Sequence, residues 1–191
     1  ERVYPDGQKL QFRRDVTYTV SAPDQLMVDV QTDTTHRRIY YNGRLMTVSA
    51  VKIGKYVSFP VSGSIAEVTA NAYDRFGIDF PLQDLFRWGS PSAVTVPPQS
   101  GYVVGDTEVN GQSATQYAFR QPGVDFQLWI AKGGQPLPLK MVIVNTEDPA
   151  QPAFTSVFNW NLSPTLSASS FTFQPGPTDR AIDLEALKAA R

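Results

Sequence analysis

The sequence contains no cysteine among its 191 residues and only one histidine, His36. The absence of cysteine excludes disulfide bonds, thiolate metal ligands and a cysteine nucleophile. A single histidine does not make up the His and Cys clusters that hold zinc, so we expect no metal site. The sequence also has no phosphate-binding glycine loop and no dinucleotide fingerprint, so we expect no cofactor.

Long apolar runs and clusters of positive charge are missing as well. Apolar runs such as residues 128–131 and 141–144 are far shorter than the ~20 residues that a membrane helix needs. The net charge is −1, and the only adjacent basic pairs are Arg13-Arg14 and Arg37-Arg38. We therefore expect no transmembrane segment in this chain and no nucleic-acid partner, because phosphate binding needs a basic face.

Proline, in contrast, is abundant, with 15 residues in the chain. Proline is excluded from helix interiors, so this content favours strands joined by turns. The chain is slightly longer than a common single domain, and we expect one domain over residues 1–191. It starts with glutamate and not with methionine, so we expect that an upstream segment was removed.

Alternation of apolar and polar residues predicts several strands. Residues 10–20 place apolar side chains at even positions, with Arg14 as the exception, and Leu26, Val28 and Val30 restart the same pattern. Asn42-Gly43 predicts a two-residue hairpin turn, and so does Asn110-Gly111. Consecutive strands with short turns indicate an antiparallel meander.

Helical patterns interrupt and follow the strands. Ser64 and Glu67 have capping-box spacing and predict a helix over residues 64–77. An apolar stripe predicts a second helix over residues 81–88, and Asp183 is placed to cap a tail helix over residues 183–190. We predict a mainly β fold in which a curved antiparallel sheet forms an unclosed β-barrel and the two internal helices act as a lid.

Five segments resemble a family of predicted periplasmic proteins of unknown function in the superfamily of the lipoprotein carriers LolA and LolB. They read IYYNG at 39–43, YDRFGI at 73–78 followed by PL at 81–82, FRQPGVDFQLWI at 119–130, PLPLK at 136–140 and NWNLSP at 159–164. The resemblance implies an unclosed barrel with lid helices, export to the periplasm by a signal peptide, and uptake of acyl chains on the concave face. The chain departs from the superfamily in lacking an N-terminal helix before the first strand and a lipidated cysteine.

The case for catalysis is weak, and we expect a protein that is not an enzyme. His36 follows Asp33 closely, but a general base also needs a positioned nucleophile, and no G-x-S-x-G elbow supplies one. His36 is interpreted as a surface residue at the start of a strand. Asp29 and Asp33 fall on one face of an extended strand, where solvated charges explain them better than an acid–base pair.

The predicted ligand-binding residues lie on the apolar strand faces and in the lid. Arg14 has two readings, either a rim residue that binds a lipid phosphate or carboxylate, or a stem packed on apolar neighbours with its head in water. The complete predicted set is Phe12, Arg14, Val16, Tyr18, Leu26, Val28, Leu82, Leu85, Phe86, Trp88, Phe126, Leu128 and Ile130.

The leading functional hypothesis is a periplasmic binding or carrier protein that holds a hydrophobic small molecule, lipid or lipoprotein between the concave sheet and the lid helices. One alternative is an envelope interaction or sensor module that binds a polypeptide segment of a protein partner at a sheet edge. An enzyme that acts on a hydrophobic substrate is the third hypothesis.

Overall fold

The computed structural model describes residues 1–76, 78, 80–82 and 97–183, and strands are their main regular secondary structure. No helix within these ranges is long and apolar enough to cross a membrane. The elements are β1 (Arg2–Val3), β2 (Lys9–Leu10), β3 (Arg14–Ser21), β4 (Gln25–Thr32), β5 (His36–Asn42), β6 (Leu45–Ala50), a 3-10 turn (Val51–Ile53), β7 (Lys55–Pro60), α1 (Ile65–Phe76), β8 (Ser100–Val109), β9 (Gln112–Gln121), β10 (Val124–Ala131), β11 (Pro138–Asn145), β12 (Ala153–Val157), a second 3-10 turn (Ala168–Phe171) and β13 (Arg180–Ala181).

The chain divides into two compact units. The five-stranded unit comprises Glu1–Phe12 and Val94–Pro164, and the six-stranded unit comprises Arg13–Ala93 and Thr165–Arg191. The first contains the sheet β12-β11-β10-β9-β8 and the small β1-β2 sheet, and the second contains the sheet β13-β7-β6-β5-β4-β3. Neighbouring strands pair antiparallel except β13 with β7, which pair parallel.

These sheets confirm the predicted mainly β, antiparallel architecture, and none of the described sheets closes on itself. The unclosed β-barrel with lid helices stays a prediction, and so does the single domain over residues 1–191. The helix predicted over residues 64–77 is confirmed as α1. Pro81 and Leu82 form a turn, while the rest of the helix predicted over 81–88, and residues 184–190 of the tail helix, lie outside the described residues.

The continuous strand predicted over residues 10–20 is wrong. Lys9 and Leu10 pair with Arg2 and Val3 in the five-stranded unit, whereas β3 begins only at Arg14. Because Arg14 lies at the exposed end of β3, it does not interrupt a buried apolar face. The apolar and polar residues do alternate over this range, but the alternation does not show that the chain changes sheets between residues 10 and 14.

Two turns that contain Asn-Gly follow different geometries. Asn110 and Gly111 both adopt positive φ, 50° and 78°, and join paired Val109 and Gln112 as a two-residue hairpin. At the other turn only Gly43 has positive φ, and Oδ1 of Asn42 accepts hydrogen bonds from the backbone N–H groups of Arg44 and Leu45 at 3.2 and 3.0 Å. The Asn42 side chain therefore stabilises a turn of a different type from the predicted one, with Tyr41 and Met46 as the last paired residues.

The core of the six-stranded unit lies between one sheet face and α1. Ile65, Val68 and Ala72 of α1 are buried against it, as are Ile78 and Phe80. The capping box that starts α1 is formed: the backbone N–H of Ser64 donates to Glu67 Oε2 at 2.8 Å and that of Glu67 donates to Ser64 Oγ at 3.3 Å. Helix α1 therefore fills this face of the sheet.

Candidate functional site

The predicted ligand residues of the six-stranded unit belong to its core. Leu26 and Val28 are 0% exposed, and Val16 and Tyr18 pack against the same cluster. The Tyr18 hydroxyl donates a hydrogen bond to the backbone oxygen of Pro81. This hydrogen bond ties the turn that contains half-buried Leu82 to β3.

The predicted residues near the start of the chain, Phe12 and Arg14, are exposed. Phe12 is 60% exposed in the five-stranded unit, where the Arg2 guanidinium lies 5.9 Å from its ring centroid. Arg14 is exposed and interacts with a partner group, so its side chain is not free. Leu85, Phe86 and Trp88 lie outside the described residues. The ligand-contacting role of the predicted set stays a prediction.

The remaining predicted residues, Phe126, Leu128 and Ile130, share one face of the five-stranded sheet with residues from β9 and β11. The register pairs Phe126 with Phe119 and with Ile143, and Leu128 with Tyr117. All of these side chains are apolar in their bodies and only half-buried. We call this surface the aromatic face, and its half-buried members are Tyr117, Phe119, Phe126, Leu128, Ile130 and Ile143. Met141, which pairs with Leu128, lies on the same face and is 4% exposed.

Three aromatic rings form a stack across the aromatic face. The Phe119 and Phe126 centroids are 4.9 Å apart and those of Tyr117 and Phe119 are 6.4 Å apart, each pair with planes tilted by 18°. Phe119 also lies over Gly101 of β8, where a Cβ atom would approach its ring to 2.7 Å. The absence of a side chain at Gly101 therefore lets the Phe119 ring lie flat along the sheet.

The opposite face of the same sheet is mixed, because it carries the buried cluster of Ala114, Trp129, Ala131 and Leu139 together with charged pairs. Arg120 forms a bidentate pair with Asp125, with Nε–Oδ1 and Nη2–Oδ2 distances of 2.8 and 2.7 Å. The hydrogen bond from Arg120 holds the pKa of Asp125 below its ordinary value. Lys140 Nζ lies 4.6 Å from the Trp129 ring centroid. Both faces of the sheet therefore carry apolar side chains, and the charged groups Arg120, Asp125 and Lys140 lie on the face of Trp129.

A separate cleft lies in the six-stranded unit, on the sheet face opposite to α1. It has a volume of about 150 Å³, with walls formed by β5, β6 and β7 and by residues 171–175. Tyr40 and Tyr56 flank the Phe173 ring, with centroid distances of 5.6 and 4.8 Å. Sequence reasoning missed this cleft because residues 171–175 follow no strand or helix period. The sequence feature that could have indicated the cleft is Tyr40, a large aromatic residue on the solvent-facing side of β5.

Asp29 joins two basic side chains on that same sheet face. His36 Nε2 lies 2.8 Å from Asp29 Oδ1, and Arg38 Nε donates to Asp29 Oδ2 at 2.6 Å. The hydrogen bond with Asp29 raises the pKa of Arg38. His36 does begin β5, but its partner is Asp29 and not Asp33, so the interpretation of Asp29 as merely solvated is wrong.

This group pairs a carboxylate with a histidine and an arginine, and it holds no metal-binding cluster. Within the described ranges, no group of three or more His, Asp or Glu side chains could hold a metal ion. Both carboxylate oxygens of Asp29 are hydrogen-bonded, one to His36 and one to Arg38, so the group forms a hydrogen-bond network across β4 and β5. The expectation that the protein is not an enzyme stays a prediction.

Comparison with protein-family models matches residues 1–185 to a family whose description reads predicted periplasmic protein. The match covers almost all of the chain, and it confirms the periplasmic localisation expected from the sequence. No curated protein matches the chain.

Proposed function

We propose a function for this chain from the family to which it belongs, the DUF2092 family of predicted periplasmic proteins. The proposed function is the binding of a hydrophobic ligand on the aromatic face. The ligand is the acyl chain of a lipid or lipoprotein, and the role is binding or carriage without catalysis. The LolA/LolB-like unclosed β-barrel that the sequence resemblance implies is part of the same proposal. The aromatic face is the observation that carries it.

The contrast between the two sheets supports this choice of surface. In the six-stranded unit, α1 covers the apolar face and leaves Leu26 and Val28 without solvent contact. In the five-stranded unit, the described residues include no helix, and the three stacked rings of the aromatic face remain half-buried together with Leu128, Ile130 and Ile143, although Met141 on the same face is buried. An apolar sheet face in water is unfavourable, and an acyl chain gains about 0.8 kcal/mol for each CH₂ group that it buries there.

The test begins with native mass spectrometry of the protein purified from envelope membranes under mild conditions, followed by solvent extraction and lipid identification. Purified protein is then titrated with a fluorescent long-chain fatty acid. Ile143→Gln places an amide on the aromatic face, and an unpaired amide against an acyl chain should weaken binding about tenfold. Circular dichroism checks that the variant keeps its strand content.

Val144→Gln is the matched control, because Val144 is the next residue of β11, is also half-buried and points to the opposite face. The proposal requires that Val144→Gln binds the fatty acid as the unmodified chain does. Equal weakening in both variants, or no saturable uptake by the unmodified chain, would show that the aromatic face does not hold the ligand.

The second candidate function is binding of a polypeptide segment along β8. This ten-residue strand is an edge of its sheet, and Tyr102 and Val103 on it are 66% and 61% exposed. Exposed backbone groups of an edge strand can pair with an added strand. A photo-crosslinker at Val103 that captures one recurrent envelope protein, in a preparation free of bound lipid, would favour this function over the first.

A further inference from the structure

The cleft in the six-stranded unit has a size that suits one small molecule. Its volume of about 150 Å³ is about the volume that five water molecules occupy in liquid water. This volume is smaller than that of the usual pockets for drug-sized ligands. A long acyl chain does not fit such a volume. The cleft is therefore a separate feature from the aromatic face of the five-stranded unit.

Aromatic rings form the side walls of the cleft. Phe173 packs between Tyr40 and Tyr56 with its ring tilted by about 50° to each, at interplanar angles of 53° and 48°. Tyrosine combines an apolar ring with a polar hydroxyl, so it can contact a ligand that has both kinds of surface. The face of a ring carries partial negative charge and attracts the C–H groups of a saturated ring.

Polar groups of fixed orientation complete the lining. The Oδ1 atom of Asn42 is occupied by two backbone N–H groups of its turn, which leaves the two Nδ2 hydrogens on the other side of the amide for a ligand. The hydroxyls of Thr47 and Ser58 are 2.8 Å apart. Because that contact uses one hydroxyl hydrogen, the pair retains one donor and several acceptor lone pairs.

The charge of the lining selects against ions. Every side chain that the structure places around the cleft is uncharged. Arg38, two residues from Tyr40 along β5, donates to Asp29 at 2.6 Å and also hydrogen-bonds to Tyr40, so its charge is already paired with Asp29. A ligand with a net charge would therefore meet no opposite charge among the lining side chains that compensates for its loss of water.

We infer that this cleft binds a small neutral polyol, such as a single sugar ring, which stacks on the tyrosine walls and hydrogen-bonds to Asn42, Thr47 and Ser58. A saturated ring with several hydroxyls combines the apolar C–H face and the donors and acceptors that the lining matches. The site is distinct from the proposed acyl-chain surface and does not depend on it. For a ligand of this size we expect a dissociation constant of about 1 mM.

The test is a nuclear magnetic resonance titration of the full chain with methyl β-glucopyranoside. We expect saturable shifts of the Asn42 side-chain amide and of the backbone amides of Leu45 and Ser58. Asn42→Asp keeps the oxygen that stabilises the turn but removes the Nδ2 donors, and it should weaken binding at least tenfold. Ser58→Leu adds an apolar side chain at an exposed strand position, and it should abolish binding by filling the cleft.

Asn145→Asp is the matched control, because Oδ1 of Asn145 accepts from the backbone N–H groups of Glu147 and Asp148 in the same type of turn, away from the cleft. The control should bind the glucoside like the unmodified chain. Shifts that never saturate, or affinity that is unchanged in both Asn42→Asp and Ser58→Leu, would overturn the inference. Binding of benzene in place of the glucoside would overturn it too, since it would identify a purely apolar site.

Discussion

Leu26 offers a direct test of whether the space under α1 is filled or open. The side chain is 0% exposed, and its cross-strand neighbours are Val20 on β3 and Tyr41 on β5. Leu26→Ala removes three carbon atoms, a transfer cost of about 2.4 kcal/mol at about 0.8 kcal/mol each. Because the surrounding side chains close the gap only in part, we expect a total loss of about 3–4 kcal/mol in the free energy of unfolding.

The assay is urea unfolding followed by circular dichroism and tryptophan fluorescence. With a urea dependence of about 2 kcal/mol per molar, the expected loss lowers the unfolding midpoint by about 1.5–2 M. Leu45→Ala is the control, because Leu45 is 40% exposed at the edge of the cleft. Its loss of apolar burial is smaller, and we expect a cost below about 1 kcal/mol.

A cost below about 1 kcal/mol for Leu26→Ala would refute the reading of Leu26 as core. It would mean that the side chain borders open space, as the sequence predicted when it placed Leu26 among the ligand-binding residues. A large cost together with unchanged fatty-acid binding would instead assign Leu26 to folding alone.

Two further predictions concern α1 and the Arg120–Asp125 pair of the five-stranded sheet. Ser64→Ala removes the N-cap of α1 and should lower the free energy of unfolding by about 1 kcal/mol in the same urea assay, with no change expected for Ala in place of exposed Ser163. The pKa of Asp125 is lowered below its ordinary 3.8 by the hydrogen bond from Arg120, so its stabilising contribution is present above pH 3.8 and is lost as the pH falls below that value. Asp125→Asn should therefore reduce stability above pH 3.8 and flatten its acid-side decline, and an unchanged pH profile in urea unfolding would contradict the pairing with Arg120.

Much of the local structure was predictable because it depends on neighbouring residues. The alternation along β4 and β10 and the capping box at Ser64 predict elements that the structure contains. The Asn110-Gly111 hairpin was likewise predictable, because few other dipeptides accept positive φ at two consecutive positions. Phe126, Leu128 and Ile130 share a face for the same local reason, since side chains alternate across a strand.

Long-range packing decided the features that the sequence left open. The same alternation places Leu26 and Leu128 on apolar faces, yet α1 buries the first completely while the second stays half-buried on the aromatic face. Likewise, His36 was read with its sequence neighbour Asp33, whereas the β4–β5 register brings Asp29 to it.

The sequence by itself determined the alternation along β4 and β10, the start of α1 and the Asn110-Gly111 hairpin, because these follow from backbone sterics, local capping and the two-residue period. Tertiary structure alone decided that the chain changes sheets before Arg14, that α1 fills one apolar face, and that Phe173 closes a cleft beside Tyr40 and Tyr56. Those outcomes depend on contacts between residues far apart in the chain, and no local pattern encodes which distant surface a given face will meet.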